Sequence, residues 1–334
     1  MQKEPKIIVT RRLPETVHQR LVDLFGAELN PHDQAFSKEQ LIKAVRRADV
    51  LVPTVTDHID RDIIEAAGPQ LKLIANFGAG TDHIDREAAD KKNILITNTP
   101  GVLTEDTADF VMALILAVSR RLVQADRLTR DGKFTGWTPT GILGQRVRGK
   151  KLGIVGMGRI GQAVARRAHA FGLEVHYHNR RPVSDLIEKK LGVQYWPDLD
   201  TMLAFVDFVS INCPSTPETY HLINAKRLSA MQSWGVIINT ARGEIIDEAA
   251  LGNALAKGHI AGAGLDVYEN EPDIHPRLLN LPNVILAPHI ASATLESRIE
   301  MGEKVLINIR ALLDGHRCPD RVLPPGADFS KKTS

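Results

Sequence analysis

Cysteine is scarce: Cys213 and Cys318 are the only two in 334 residues, too few for a disulfide framework. Long apolar runs are also missing. The longest, FVMALILAV from Phe110 to Val118, falls far short of the roughly 20 residues that cross a bilayer and predicts a buried helix instead of a membrane partner. No signal-like succession of charged, apolar and small residues opens the chain, and the expected location is the cytoplasm. Neither charge sign dominates, since 42 Lys and Arg face 40 Asp and Glu for a net charge of +2, which argues against a nucleic-acid partner. No Cys/His cluster has zinc spacing. His176 and His178 share one strand face and read as packing or surface, so no metal is expected.

What is present is ample core. With 43% hydrophobic and 25% charged residues, the length suits about two domains. Short β-branched runs alternate with amphipathic patterns: KIIVT, PETVHQRLVDLF, KEQLIKAVRRA, DVLVP, DRDIIEAA, LKLIANF, HIDREAADKK and NILITNT. Such alternation predicts a parallel sheet with helices on both faces. The grammar restarts at Lys151 with KKLGIVG, RIGQAVARRAHAF and EVHYH, then FVSINC, GVIINTA, AGAGLDVY and NVILAPH. The expected fold is α/β, two doubly wound parallel-sheet (Rossmann/flavodoxin-like) domains with a cleft between them. Residues 1–100, completed by the C-terminal segment 291–334, form the substrate domain, and residues 101–290 the dinucleotide-binding domain. The run TEDTADFVMALILAVSRRLVQADRLTRDG predicts one long connecting helix with Thr104 as its N-cap. TLESRIEMGEKVLINIRALLDGH predicts a terminal helix, followed by the Pro-rich tail CPDRVLPPGADFSKKTS.

GIVGMGRIGQAVARRA sets Gly156, Gly158 and Gly161 in a GxGxxG pattern between an apolar strand and a helix, with Arg159 and Ile160 inside the loop. The first glycine permits the tight turn, the second lets backbone approach a pyrophosphate, and the third allows close helix packing, with the helix N-terminus facing the anion. A ligand-free glycine turn is the plainer reading. The strand before, the helix after and a second strand about 20 residues on favour a dinucleotide. At the end of that second strand an acidic residue would bond both ribose hydroxyls of NAD and repel a 2′-phosphate. EVHYHNRRPV has Asn179, Arg180 and Arg181 there. Asn179 can bond a hydroxyl, and the guanidinium pair offers charge-assisted contacts to a phosphate. Solvated surface charge is the alternative; the position straight after the strand predicts NADPH as preferred coenzyme, with NADH usable.

Three further polar residues each follow an apolar strand: Arg242 in VIINTARGE, Glu271 in GLDVYENEP and His289 in NVILAPHIAS. In open α/β sheets ligands bind outside the carboxyl ends of the strands, which directs all three to one place. Singly, each has a plain reading as surface arginine, turn cap or structural histidine.

In these contexts the chain resembles the D-isomer-specific 2-hydroxyacid dehydrogenase family over nearly its whole length. The motifs are GAGTDHID (78–85), TEDTADF (104–110), LGIVGMGRIG (152–161), INCPSTPETYHLI (211–223), INTARGEIIDEAAL (238–251), GAGLDVYENEP (262–272) and ILAPHIAS (285–292). Partly through GWTPTGILGQRV (136–147), it is most similar to the glyoxylate and hydroxypyruvate reductases. The resemblance implies hydride transfer from a reduced nicotinamide to a small 2-keto acid, giving a D-2-hydroxy acid. His289 would be the general acid, oriented by Glu271. Arg242 would clamp the substrate carboxylate and polarise the keto oxygen. The turn of Phe77, Gly78, Ala79 and Gly80 would offer N–H groups to that carboxylate. Asp266 would bond the nicotinamide carboxamide, Thr107, Thr240 and Ala241 would lie beside the coenzyme along with His289, and Cys213 and Pro214 would flank its adenosine side. Cys213 as a nucleophile is rejected, because no histidine in its sequence context suggests activation.

The same resemblance implies a homodimer built on the long helix, with Trp137 reaching the partner's active site, and hinge closure about joints near residues 101 and 290. Formate dehydrogenases of the superfamily carry glutamine where Glu271 stands and a longer N-terminal part, so formate oxidation is not expected. Phosphoglycerate dehydrogenases often add a regulatory domain, which nothing after about Pro325 could form. The alternatives are a reductase for a bulkier acid, of 2-ketogluconate or phenylpyruvate type, and a dinucleotide-sensing corepressor-like protein. The complete Arg242, Glu271 and His289 set speaks against the second.

Overall fold

The structure, a computed structural model, describes residues 4–323. The end of the Pro-rich tail lies outside the described residues, and so does the expectation that no regulatory domain forms beyond about Pro325. The chain divides into two compact units, residues 1–103 with 293–334, and residues 104–292.

In the first unit β1 (Ile7–Val9), α1 (Glu15–Phe25), α2 (Lys38–Val45), β2 (Val50–Val52), α3 (Arg61–Glu65), β3 (Leu73–Ala75), α4 (Arg86–Lys91) and β4 (Leu95–Thr97) succeed one another. The four strands pair in parallel in the order β1-β2-β3-β4, and a parallel bridge from Ile8 to Glu28 adds chain on the other side of β1. Every residue of β1, β2 and β3 is buried, as a sheet covered on both faces requires. Because strand side chains alternate, Ile7, Val9, Val50, Val52 and Leu73 meet Val17 and Leu21 of α1 and Met301, Val305 and Ile309 of the C-terminal helix, Leu295–Leu313. Ile8, Leu51, Ile74 and Ile96 point the other way, against α2, α3 and α4. Those helices start at polar caps: Ser37 and Gln40 form a reciprocal box, and Asp60 and Asp85 accept from the third helical N–H.

The second unit opens with α5 (Thr104–Ser119) and α6 (Leu122–Arg130). Then come β5 (Lys151–Val155), α7 (Arg159–Ala170), β6 (Glu174–His178), α8 (Asp185–Leu191), β7 (Gln194–Tyr195), α9 (Leu199–Phe205) and β8 (Phe208–Ile211). The rest is α10 (Ala225–Ala230), β9 (Val236–Asn239), α11 (Glu248–Ala256), β10 (Gly262–Leu265), α12 (Pro276–Leu279) and β11 (Val284–Leu286). Seven parallel strands lie in the order β11-β10-β9-β8-β5-β6-β7. Strand order reverses between β5 and β8, the switch point outside whose carboxyl ends ligands bind in such sheets.

One expected helix is two. Arg121 takes a left-handed φ of 52° between α5 and α6, and the axis breaks there. The apolar face of α5 is also satisfied within its own unit: Ala108, Val111, Leu114 and Ile115 are buried against α7 and the sheet. Its hydrophobicity therefore does not by itself require a second subunit. His176 is a packing residue, fully buried edge-on to Trp196 and Phe205, with its Nδ1 accepting from Trp196 Nε1 at 3.1 Å.

Docking of the C-terminal helix on α1 has a tight point at Gly302, where an added methyl would overlap both methyl groups of fully buried Val17. Gly302→Ala gains about 1 kcal/mol of helix propensity, but overpacking against a stiff β-branched neighbour costs about 1–3 kcal/mol. We expect a lower thermal midpoint by calorimetry, and recovery of part of the loss when Val17→Ala is added. Additive losses in the double variant would show that the contact is not the cause.

Candidate active site

The glycine loop closes β5 and opens α7. Gly156 has φ 103°, and a side chain there would also meet the Cys213 backbone; a methyl on Gly161 would overlap the Gly156 carbonyl. At Gly158, by contrast, a Cβ would meet nothing within 4 Å. This glycine caps α7 with no side-chain hydrogen bond, and no acidic residue occupies the first turn. The helix thus presents uncapped N–H groups and an uncompensated dipole to open space, which suits the pyrophosphate of a dinucleotide. Arg159 and Ile160 form the first turn itself.

Asn179 sits just past β6, and its Oδ1 accepts the Met157 N–H at 2.8 Å. The residue expected to meet a ribose hydroxyl braces the glycine loop, leaving its amide N–H groups for a ligand. Arg180 and Arg181 beyond it are exposed. Glu218 is held below the usual carboxylate range by Thr216 first, and the charge of Arg180 acts in the same direction. Cys213 lies beside the loop with its thiol pushed up to about 11 by burial, a neutral and unreactive form. Pro214 comes next and accepts from Thr219 Oγ1 at 2.8 Å. Thr107 is buried on α5.

The carboxyl ends of β9, β10 and β11, three adjacent strands, carry Arg242, Glu271 and His289. His289 Nδ1 and Glu271 Oε2 are 2.8 Å apart, and Glu271 Oε1 accepts the Tyr268 N–H at 3.1 Å. Burial raises the Glu271 carboxyl, but the hydrogen bond and charge of His289, the Tyr268 N–H and the charge of Arg242 outweigh it and hold the group below the usual carboxylate range. An ionised Glu271 accepts only, so Nδ1 donates and Nε2 is left for proton transfer. Arg242 donates from Nη1 to the Ala241 carbonyl at 2.7 Å. Its loop is fixed by buried Asn239, whose Oδ1 accepts the Ala241 N–H at 3.0 Å while its Nδ2 donates to the Arg242 carbonyl at 2.9 Å. Thr240 lies half-buried between them. Gly243 allows this loop to touch the β10 loop, since any side chain there would overlap the Tyr268 carbonyl.

Asp266, expected to bond the nicotinamide carboxamide, also anchors the histidine loop. It is fully buried, and its two carboxylate oxygens accept the N–H groups of Ile290 and Ala291, each at 2.8 Å, while its carbonyl accepts the His289 N–H at 2.9 Å. Burial raises its carboxyl, with those two N–H groups opposing. The clamp holds His289 at a left-handed φ of 56°, a conformation that costs a β-carbon-bearing residue about 1–2 kcal/mol.

In the first unit, Phe77, Gly78, Ala79 and Gly80 form the turn after β3. Phe77 is buried and its N–H is engaged by the Pro53 carbonyl at 2.8 Å, so it cannot serve a ligand as expected. Trp137 is 85% exposed, in a stretch of exposed residues after α6. A second histidine–carboxylate pair, His221 with Glu269, escaped the sequence reading. It ties the loop after β8 to the loop of Glu271, and Glu269 N–H is in turn held by buried Glu248 at 2.7 Å. Its only sequence signal is the repeated acid in YENEP. Among the described residues no His/Cys/Asp/Glu group could hold a metal ion.

Comparison with known proteins agrees with this geometry. Residues 112–291 match the family described as D-isomer specific 2-hydroxyacid dehydrogenase, NAD binding domain. The chain is 46% identical to a glyoxylate reductase of Korarchaeum cryptofilum, covering 97% of this chain and 99% of that one. It is 45% identical to a glyoxylate reductase of Thermococcus litoralis, covering 96% and 97%. Among solved structures, the NADPH-dependent glyoxylate/hydroxypyruvate reductase of Sinorhizobium meliloti, in complex with NADP and malonate, superposes with a TM-score of 0.86 at 37% identity, covering 96% and 98%. A doubly wound sheet with a glycine loop at its switch point, and this degree of kinship along the whole chain, place the protein in the D-isomer-specific 2-hydroxyacid dehydrogenase family of NAD(P)-dependent oxidoreductases.

Proposed function

We propose that the protein reduces glyoxylate to glycolate and hydroxypyruvate to the D-2-hydroxy acid D-glycerate, with NADPH preferred over NADH. The observation that carries this reading is the His289–Glu271 pair at 2.8 Å beside Arg242, on three neighbouring strand ends. When bound, the reduced dinucleotide supplies the hydride. His289 holds the proton for the developing alkoxide on Nε2, and Glu271 stabilises the imidazolium and fixes its ring. Arg242 balances the substrate's negative charge and polarises its keto oxygen. In the first unit, the turn after β3 offers backbone N–H groups to a carboxylate. Thr107, Thr240, Ala241, Cys213 and Pro214 are assigned to the coenzyme's surroundings.

NADPH preference is supported by the exposed Arg180 and Arg181 and by the absence of an acid at the end of β6. The kinship with a reductase solved with NADP points the same way. A homodimer is supported by apolar side chains outside any core of the second unit: Phe134 and Leu143 are each 64% exposed, and Trp137 more so. Two free cysteines support a cytoplasmic location.

His289→Ala is expected to lower kcat by at least about a hundredfold, the usual contribution of a positioned general acid, while NADPH still binds as in the wild type. Turnover equal to wild type, monitored by nicotinamide absorbance, would remove His289 from the acid role. For the coenzyme, Arg180→Ala and Arg181→Ala together are expected to lower the ratio of kcat/KM with NADPH to that with NADH by about tenfold or more, as for loss of a charge-assisted bond of about 1.5–3 kcal/mol. An unchanged ratio defeats the preference. Light scattering should give a mass twice the 36.8 kDa of one chain, and a monomer at micromolar concentration would refute the assembly.

A further inference from the structure

The turn after β3 has its carbonyl groups held from behind. The Gly78 carbonyl accepts Asn76 Nδ2 at 3.0 Å and the Thr99 N–H at 3.0 Å, and the Gly80 carbonyl accepts the same Asn76 amide at 2.8 Å. Between them, the Ala79 carbonyl accepts Asn98 Nδ2 at 2.7 Å. Three successive carbonyls are therefore fixed by two side-chain amides. In a trans peptide the next N–H points opposite to the C=O, so fixing these carbonyls also fixes the directions of the Ala79, Gly80 and Thr81 N–H groups. Among the described residues none of the three meets a backbone acceptor.

We infer that Asn76 and Asn98, with His83 behind Asn76, are positioning residues that aim this row of three N–H groups at the carboxylate of a small organic acid. Successive N–H groups pointing one way form an anion-binding concavity, and a carboxylate has enough lone pairs for all three. The inference rests on the proposed reduction of 2-keto acids and names the groups that set its carboxylate contact. It also adds Thr81 to the turn and removes Phe77 from it.

The braces are themselves fixed. Asn76 is fully buried, and both its amide hydrogens go to carbonyls, so its Oδ1 must accept from His83 Nε2 at 3.0 Å. His83 thus carries its proton on Nε2, and a flipped Asn76 amide would set oxygen against two carbonyls. Asn98 is tied from its own backbone, whose N–H donates to the Asp320 carbonyl at 3.3 Å. The Asp320 carboxylate accepts from Lys304 Nζ at 2.8 Å and Asn308 Nδ2 at 2.9 Å on the C-terminal helix. Gly78 leaves room for the arrangement, since a Cβ would come within 3.1 Å of Asn76 Nδ2 and 2.9 Å of Val55.

The test uses the full chain with NADPH and two probes, glyoxylate for turnover and oxalate for binding. Asn98→Asp keeps the shape but replaces the donor by an oxygen facing the Ala79 carbonyl; His83→Phe removes the donor behind Asn76, and His83→Gln restores an N–H. Asn98→Asp and His83→Phe are expected to raise both KM for glyoxylate and Kd for oxalate about five- to tenfold, as for loss of one hydrogen bond. Wild-type kcat and NADPH Kd should remain, and His83→Gln should recover most of the loss. Oxalate affinity unchanged in both variants overturns the inference, as does loss of NADPH binding in step with a lowered thermal midpoint, which marks a merely structural role. If Asn98→Asp does not fold, the two His83 variants decide alone. A wild-type chain inert towards glyoxylate refutes the proposed activity, yet the oxalate measurements still judge the brace; a wild-type chain that binds no oxalate refutes the brace.

Discussion

A short side-chain amide, buried or half-buried at the carboxyl end of a parallel strand and bonded to the backbone of its own or a neighbouring loop, is the interaction on which the working surfaces of this protein depend. A strand holds its own backbone through its neighbours; the loop beyond it has no such ladder, and its N–H and C=O groups need partners. Asparagine carries an acceptor and two donors on one rigid plane. Asn76 and Asn98 fix carbonyls of the turn after β3, Asn179 fixes an N–H of the glycine loop, and Asn239 grips the Arg242 loop at both an N–H and a carbonyl. Each leaves other polar groups of its loop for the proposed ligands. Replacing any one with an apolar residue would keep the strand and lose the aim of the loop.

The histidine needs a stronger hold, because its backbone is left-handed. One ionic group supplies it: Asp266 binds two consecutive N–H groups after His289 and accepts the His289 N–H on its own carbonyl. Charge-assisted bonds of about 1.5–3 kcal/mol each exceed the roughly 1–2 kcal/mol of the left-handed residue, so the strained conformation persists. Glu271 then acts on the ring alone, accepting from Nδ1 and leaving the far nitrogen outward. Backbone clamp and ring clamp come from the same loop region after β10, so imidazole position and tautomer are set together.

Much of this was legible in sequence for a definite reason. Apolar runs such as LKLIANF and GVIINTA mark strands buried on both faces, and Gly156 and Gly161 of GMGRIG carry requirements of φ or space that no other residue meets. Arg242, Glu271 and His289 could be placed at strand ends because the strands themselves were unmistakable. The break at Arg121 was hidden, since the apolar spacing continues and neither proline nor glycine marks a left-handed arginine. The direction of an amide was hidden too. The composition NFGAG names the turn but says nothing of which way its peptide planes face, and so Phe77 was expected to donate where its N–H belongs to the sheet. The motif around Asp266 is equally silent about the backbone, where its two oxygens accept the N–H groups of Ile290 and Ala291.

The end of β6 joins these themes. Bracing Met157 requires an acceptor at position 179, and a carboxylate would accept that N–H as well as an amide does. Nothing in the loop's geometry therefore excludes an acid there; under the proposed preference for NADPH, the reason for a neutral amide lies in what approaches from outside. With asparagine, two exposed guanidinium groups and an α7 free of acid in its first turn, the edge is locally cationic in a chain of net charge only +2. Glu218 opposes it in part, but from an exposed position where solvent screens its charge. An acid at 179 would sit against the phosphate loop itself and cancel the field where the helix dipole and the arginines add. The same substitution that leaves the brace intact would thus weaken the local positive field, which separates the structural demand at this position from the demand of the proposed coenzyme.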